Sequence, residues 1–318
     1  MVHDGVRKVL NMTKASIIIC TYNRSELLKE ALESLLSLAV SPGLEWEALV
    51  VDNNSNDSTE AVTKSFCDKY PKRFRYIFEG RQGKSFALNN GMSEARGEII
   101  ALTDDDATVD PHWLTQLIDT IERFDCAGVG GKIVPVWKIS KPSWLEMEGP
   151  YKLMDAIVSF DLGDRPCEMK TPAFGANMAF RKAIVEKYGP FRLDLCRRGD
   201  LLGGEDTEYC RRVLKGGERL FYAPGAVVYH PVEEKRTHKS YFQEWYLCRG
   251  RASIREDGVP ENATRYFKVP RYMFRILSAK ILKWFFCPSP KLRFHNKLEI
   301  YETWGQILES RASFEVGR

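Results

Sequence analysis

The chain has 318 residues, 44% of them apolar, enough for one large domain or one domain with an appendage. Its eight cysteines (Cys20, Cys67, Cys126, Cys167, Cys196, Cys210, Cys248 and Cys287) form no Cys-x-x-Cys pair, which argues against a zinc knuckle or a dithiol redox motif. The net charge of +4 is mild but unevenly spread. No run reaches transmembrane length and the N-terminus lacks a signal-peptide core, so a cytoplasmic protein with reduced thiols is expected.

Residues 1–14 read as a polar tail. From there to about residue 135, apolar runs alternate with helical patterns. Residues 15–20 are rich in β-branched side chains and predict a strand. Leucines at 27, 28, 32, 35, 36 and 38 have helical spacing and predict a helix over 26–38. A second strand is predicted over 46–51, followed by an Asn/Ser/Asp-rich loop able to cap a helix from Thr59. A third strand is expected over 74–78, a third helix over 84–95 and a fourth strand over 98–102. Pro111 suits the first turn of a helix running to about Phe124. This β-α alternation predicts an α/β fold with a mostly parallel central sheet and right-handed crossovers.

Polar groups sit at the carboxyl ends of three of these strands, where open α/β sheets bind ligands. The first strand ends in Thr21-Tyr22-Asn23-Arg24, the second in Asp52 and the fourth in Asp104-Asp105-Asp106. Three adjacent acids repel one another, and burying them is costly unless a cation neutralises them. Hard divalent ions such as Mg2+ or Mn2+ suit carboxylate oxygens; a solvated acidic turn is the plainer alternative. The chain lacks Gly-x-Gly-x-x-Gly after the first strand and has no full Gly-x-x-x-x-Gly-Lys-Ser/Thr phosphate loop, which disfavours dinucleotide oxidoreductases and P-loop NTPases. A nucleotide site that holds phosphates through a metal remains.

Three segments in order carry a resemblance: Ser-Ile-Ile-Ile-Cys-Thr-Tyr-Asn-Arg at 16–24, Val-Val-Asp-Asn-Asn-Ser-Asn-Asp-Ser at 50–58 and Leu-Thr-Asp-Asp-Asp at 102–106. Together they resemble the family 2 glycosyltransferases, of the GT-A fold, over about residues 15–255. The resemblance implies a nucleotide-binding half at 15–135 and an acceptor half at 136–255. It also implies inverting transfer of a sugar from a nucleotide-diphospho-sugar, with UDP commonest in the family, to a saccharide or lipid-linked hydroxyl. Cell-surface polysaccharide or glycolipid synthesis would be the setting, with Mg2+ or Mn2+ as cofactor.

Residue roles follow from the same resemblance. Asp52 matches the acid that accepts a hydrogen bond from the nucleotide base, although a turn-forming Asx before a helix cap would also explain it. Thr21, Tyr22 and Arg24 match the base and ribose wall. Lys84, in Gly-Lys-Ser-Phe-Ala-Leu-Asn at 83–89, matches a basic residue facing the nucleotide; an exposed helix-start lysine is the alternative. Asp104 and Asp106 fit an Asp-x-Asp metal motif, and Asp105 is the ligand if the shorter Asp-Asp register applies. Downstream, Gly203-Gly204-Glu205-Asp206 opens a helix in which the matching Glu-Asp motif supplies the general base, Asp206 first and Glu205 second. His230, expected to end a short strand over 226–231, matches a third metal ligand in some GT-A enzymes, but a lone histidine is equally readable as structural.

Other segments are open to two readings. The apolar run 171–181, with Gly175 and Ala176 at its centre, resembles the strand that floors the acceptor side. Trp137 and Trp144 could stack on a sugar or pack in a core. Between Lys268 and Ile300 stand eight Lys/Arg and one acid, Glu299, alternating with aromatic and aliphatic residues. This predicts a basic amphipathic helical extension within 256–318, either touching an anionic membrane face through 268–300 or packed on the catalytic domain. No nucleic-acid-binding module accompanies it. Two rival functions remain in view. Asp104 to Thr108 also matches the Asp-x-Asp-x-Thr of haloacid-dehalogenase-type phosphatases, with Asp104 and Asp106 as its acids, but that family carries the motif on its first strand. An inactive sugar-nucleotide-binding or membrane-scaffold protein would not need both acidic clusters intact.

Overall fold

A computed structural model describes residues 14–149, 151–195 and 203–316. All but the last residue of the predicted polar tail lies outside them, as does Cys196; the other seven cysteines are free. The expected alternation is present. β1 (Ala15–Thr21), α1 (Ser25–Leu36), β2 (Trp46–Asp52), α2 (Thr59–Lys69), β3 (Phe74–Phe78), α3 (Lys84–Glu94), β4 (Ile99–Asp104), β5 (Thr108–Val109) and α4 (Trp113–Phe124) follow in order. Then come β6 (Gly128–Trp137), β7 (Cys167–Glu168), β8 (Asn177–Arg181), α5 (Lys182–Tyr188), α6 (Glu205–Lys215) and β9 (Leu220–Val232). The chain finishes with α7 (Lys239–Asp257), β10 (Arg265–Tyr266), β11 (Val269–Pro270), α8 (Arg271–Phe285) and α9 (Pro290–Val316).

One large sheet runs in the order β3-β2-β1-β4-β8-β6-β9-β5, with β7 beside β9. Its first four strands are parallel, as the β-α alternation requires. Beyond them the sheet is mixed: β8 enters antiparallel between β4 and β6, while β6 and β9 pair parallel. That insertion reverses chain order, so no local pattern announced it.

Alternation along β1 sorts the core onto two faces. Ile17 and Ile19 pack with Leu28, Leu32 and Leu35 of α1, whereas Ile18 packs with Val51 and with Ala87, Leu88 and Met92 of α3. The α3 helix lies so close that a Cβ on Gly91 would stand 2.7 Å from a methyl of Ile18. Only glycine lets α3 approach the sheet this nearly, and this fixes where Lys84, at its start, emerges.

The expected C-terminal extension is helical, and its segment 268–300 is not one continuous helix. The segment divides into α8 and α9. Pro288 and Pro290 lie at the break; each removes a backbone donor, and each pushes its preceding residue toward extended backbone. Trp144 takes its packing alternative, edge-on to both Phe242 of α7 and Phe294 of α9. Among the described residues, no helix is long and apolar enough to cross a membrane.

Candidate functional site

Parallel pairing of β1 with β2 and β4 brings three strand ends to one edge. Thr21 stands beside Asp52, and Cys20 beside Asp104. A cavity of about 450 Å³ opens there. Thr21, Tyr22, Arg24, Lys84, Asp104, Asp105, Asp106 and His230 all line it, so most of the sequence-predicted set converges. Three predicted residues do not line it: Asp52, Glu205 and Asp206.

The Asp52 carboxylate is 2% exposed and has partners on both oxygens. It accepts from the Ser55 N–H and from the Tyr76 hydroxyl, each at 2.9 Å. These are the bonds of a turn-forming Asx. The next residue, Asn53, reaches the cavity instead, and its Oδ1 accepts from the Gly83 N–H at 2.7 Å. Asn53 thus secures the loop that delivers Lys84.

Charges around the aspartates are tightly matched. Burial works against the charge of Asp104, yet Lys84 and then Arg236 outweigh it and hold the carboxyl at about 2. Lys84 Nζ lies 2.6 Å from Asp104 Oδ1. Burial alone would lower the Lys84 pKa; Asp104, Glu205 and Asp206 raise it above the ordinary value. Arg24 Nη1 is 2.7 Å from Asp106 Oδ2 and 3.4 Å from Asp105 Oδ1, while Nη2 is 3.3 Å from Glu233. Arg24 therefore clamps acids at the cavity wall. Asp105 is pushed up to about 6, by burial first and by Asp106 and Asp104 besides, against the pull of Arg24.

Asp104, Asp106 and His230 each offer one ligand atom, and these atoms lie within 4.8 Å of one another. Asp105 lies outside this group, which matches the spacing of the Asp-x-Asp register. His230 does not end a short strand. It sits in β9, one strand of 13 residues, and is 1% exposed. Its Nδ1 is 3.1 Å from the Pro231 carbonyl, which can only accept, so the ring proton belongs on Nδ1. The Nε2 lone pair then points at Asp106 Oδ1, 3.5 Å away. A lone pair facing a carboxylate oxygen is repulsive unless a cation or proton stands between them. Two carboxylates and an imidazole with that arrangement fit Mn2+ or Mg2+.

A second acidic cluster is brought up by β8. Because β8 runs antiparallel to β4, Asn177 pairs with Thr103, immediately before Asp104. The loop ahead of Asn177 carries Gly175, whose N–H donates to Asp206 Oδ2 at 2.7 Å. The other oxygen accepts from the Thr207 N–H at 2.7 Å. Gly204, at φ +136°, makes the turn into α6 that only glycine adopts readily. Glu205 is 4% exposed; burial and then Asp206 push its carboxyl up to about 7, against Lys84. The charge of Lys84 thus reaches both acidic clusters.

Sequence reasoning missed Arg236. It lines the cavity at 6% exposed, and its Nε and Nη1 have no hydrogen-bond partner among the described residues. Buried guanidinium donors left unpaired are rare and suit an anionic ligand. Nothing local marks this arginine in Glu-Glu-Lys-Arg-Thr, because its turn packs against α7, where its guanidinium lies over the Tyr241 ring.

A profile of the family described as Glycosyl transferase family 2 matches residues 16–189. The chain belongs to that family. Its curated relatives include the glucosyl-dolichyl phosphate glucuronosyltransferase of Haloferax volcanii, 29% identical over 229 residues, which span 70% of this chain and 71% of that protein. Succinoglycan biosynthesis protein ExoM of Rhizobium meliloti is 27% identical across 69% of this chain and 67% of its own. Among solved structures, mannosyltransferase PcManGT from Pyrobaculum calidifontis, in complex with GDP-Man and Mn2+, aligns with a TM-score of 0.57 at 18% identity, covering 96% of this chain and 75% of that one. GalNAc-T7 with UDP, GalNAc and Mn2+ aligns with a TM-score of 0.57 at 16% identity, covering 79% and 52%. These likenesses show the GT-A fold. As a family 2 glycosyltransferase, the chain has no place for the phosphatase alternative, whose motif here follows the fourth strand of the sheet rather than the first.

Proposed function

We propose that the protein transfers a sugar from a nucleotide-diphospho-sugar, with UDP as nucleotide, to a hydroxyl of a saccharide or lipid-linked acceptor, inverting the anomeric carbon. The observation that carries this reading is the meeting of two acidic clusters across Lys84 at one sheet edge. Asp104, Asp106 and His230 would hold the divalent ion, whose chemistry is to neutralise the diphosphate as it departs. Lys84 and Arg236 face the same negative charge from the protein side. Thr21 and Tyr22 wall the nucleoside side, and Asp52 fixes the turn that carries Asn53 to it.

Asp206 is the base. It keeps some solvent access, and two backbone N–H groups fix its orientation. The acceptor hydroxyl oxygen forms the bond to the anomeric carbon as the bond to the diphosphate breaks. The hydroxyl proton passes to Asp206, and the nucleoside diphosphate leaves with the electron pair. Glu205, buried beside it, is the alternative base. Support for the acceptor class comes from the relatives named for dolichyl phosphate and succinoglycan work.

A thermal-shift screen of UDP, GDP and dTDP, each with Mn2+ or with EDTA, tests the donor site. One nucleotide should raise the melting temperature, and only with the metal. Failure of all three to do so would overturn the reading.

A further inference from the structure

The α8 helix is apolar on two sides. Met273, Leu277, Lys280 and Trp284 recur at helical spacing and turn inward; Met273 is buried, and Lys280 Nζ donates to the Glu299 carbonyl and to Thr303 Oγ1 of α9. Arg271, Arg275, Leu282 and Phe286 recur with the same spacing on the opposite side, where nothing covers them. Leu282 is 57%, Phe285 68% and Phe286 74% exposed. Large apolar side chains interleaved with arginines on an uncovered helix face suit a membrane interface.

The hairpin before α8 shows the same character. Phe267 and Lys268 form the two-residue turn between β10 and β11, both with positive φ, 51° and 70°. Such turns ordinarily take Asn-Gly, because other side chains are strained there. Here the strained turn lifts Phe267 into solvent, 88% exposed. The hairpin abuts α8, with the Arg271 guanidinium over the Tyr266 ring.

From Asn262 to Leu298 the chain contains no Asp or Glu, and the acid that reaches α8 is Glu299 of α9, 3.5 Å from Lys283. We propose that α8 and the Phe267–Lys268 turn dock on an anionic lipid surface. The protruding aromatics enter the headgroup region, and Arg271, Arg275 and Lys283 meet the phosphates. The exposure of Phe267, Phe285 and Phe286 leaves their rings free to insert between lipids. Basic side chains interleaved with Phe and Leu satisfy both halves of the interfacial requirement.

Vesicle flotation of the full chain tests this. The protein should float with vesicles containing phosphatidylglycerol and stay behind with phosphatidylcholine alone. Binding should weaken about tenfold or more in Leu282→Glu/Phe285→Glu/Phe286→Glu, and to a similar degree in Arg275→Glu/Lys283→Glu. Both variants should keep the melting temperature and the metal-dependent nucleotide response of the parent, since these residues lie outside the donor cavity. Equal binding to both vesicle types, unchanged binding in both folded variants, or no vesicle binding would overturn the proposal. So would a dimer, read by light scattering, that the same substitutions split without any lipid effect. Each result stands apart from the donor screen, which reads a different surface.

Discussion

Lys84 is the residue on which the two acidic clusters depend, and the roles of their members separate around it. Asp206→Asn keeps the size of the side chain and an acceptor oxygen but removes the proposed base. Turnover should fall at least about a hundredfold, while Mn2+-dependent nucleotide binding, measured calorimetrically, stays as in the parent. If Glu205→Gln gives that loss and Asp206→Asn does not, the base is Glu205. Glu205 also carries a pH signature. Its folded pKa of about 7 exceeds the ordinary value of 4.5, so between those limits the folded state binds more protons than the unfolded one. Stability from this group is therefore present at low pH and is lost as pH rises through about 7. The loss is on the order of 3 kcal/mol. Urea midpoints in EDTA from about pH 5 to about pH 8 should fall less steeply for Glu205→Gln than for the parent. Arg236→Ala removes a buried cation with unpaired donors, and nucleoside diphosphate affinity should drop about tenfold or more. An unchanged affinity would mean that the guanidinium serves packing alone.

At the scale of elements, the best-read parts are those whose signals are local. β1 to β4 and α1 to α4 follow from alternation in strands such as 15–20, leucine spacing in α1 and the capping loop before Thr59, with ends displaced by only a residue or two, whereas the two-residue β5 had no signal. Strand-end residues such as Asp104 were readable as site residues because parallel strands finish on one edge. Asp52 shows the limit, because an Asx turn and a ligand contact use the same residue at the same place. Antiparallel entry of β8, which carries Gly175 to Asp206, depends on contacts far apart in sequence. So does the crossing of α7 and α9. There Gly250 faces the Glu302 carbonyl and Gly305 the Leu247 carbonyl, with no room for a Cβ on either. Gly305→Val should cost about 1–3 kcal/mol, read as a lowered urea midpoint, by forcing the two backbones apart.

For the whole molecule, the question is whether the C-terminal helices are an appendage or part of the core. Leu145, Leu153 and Ile157, from the segment after β6, share one apolar cluster with Phe242 and Tyr246 of α7 and Leu298 of α9. Glu309 of α9, 5% exposed, sits between Arg251 and Arg255 of α7 at 3.1 and 2.6 Å. Ending the chain after residue 257 would uncover Phe242 and Ile157, each worth about 1.5–3 kcal/mol of burial, and leave both arginines without Glu309. The cavity residues from Cys20 to Asp106 lie on strands whose core does not include that cluster. The truncated chain should therefore melt well below the parent and aggregate through the bared α7 face, yet any soluble fraction should retain metal-dependent nucleotide binding. Co-expressing residues 258–318 as a separate chain should restore solubility if the cluster is what holds α7 down. A truncated chain that melts with the parent would instead make α8 and α9 a removable module, whose main contribution lies on its exposed outer side.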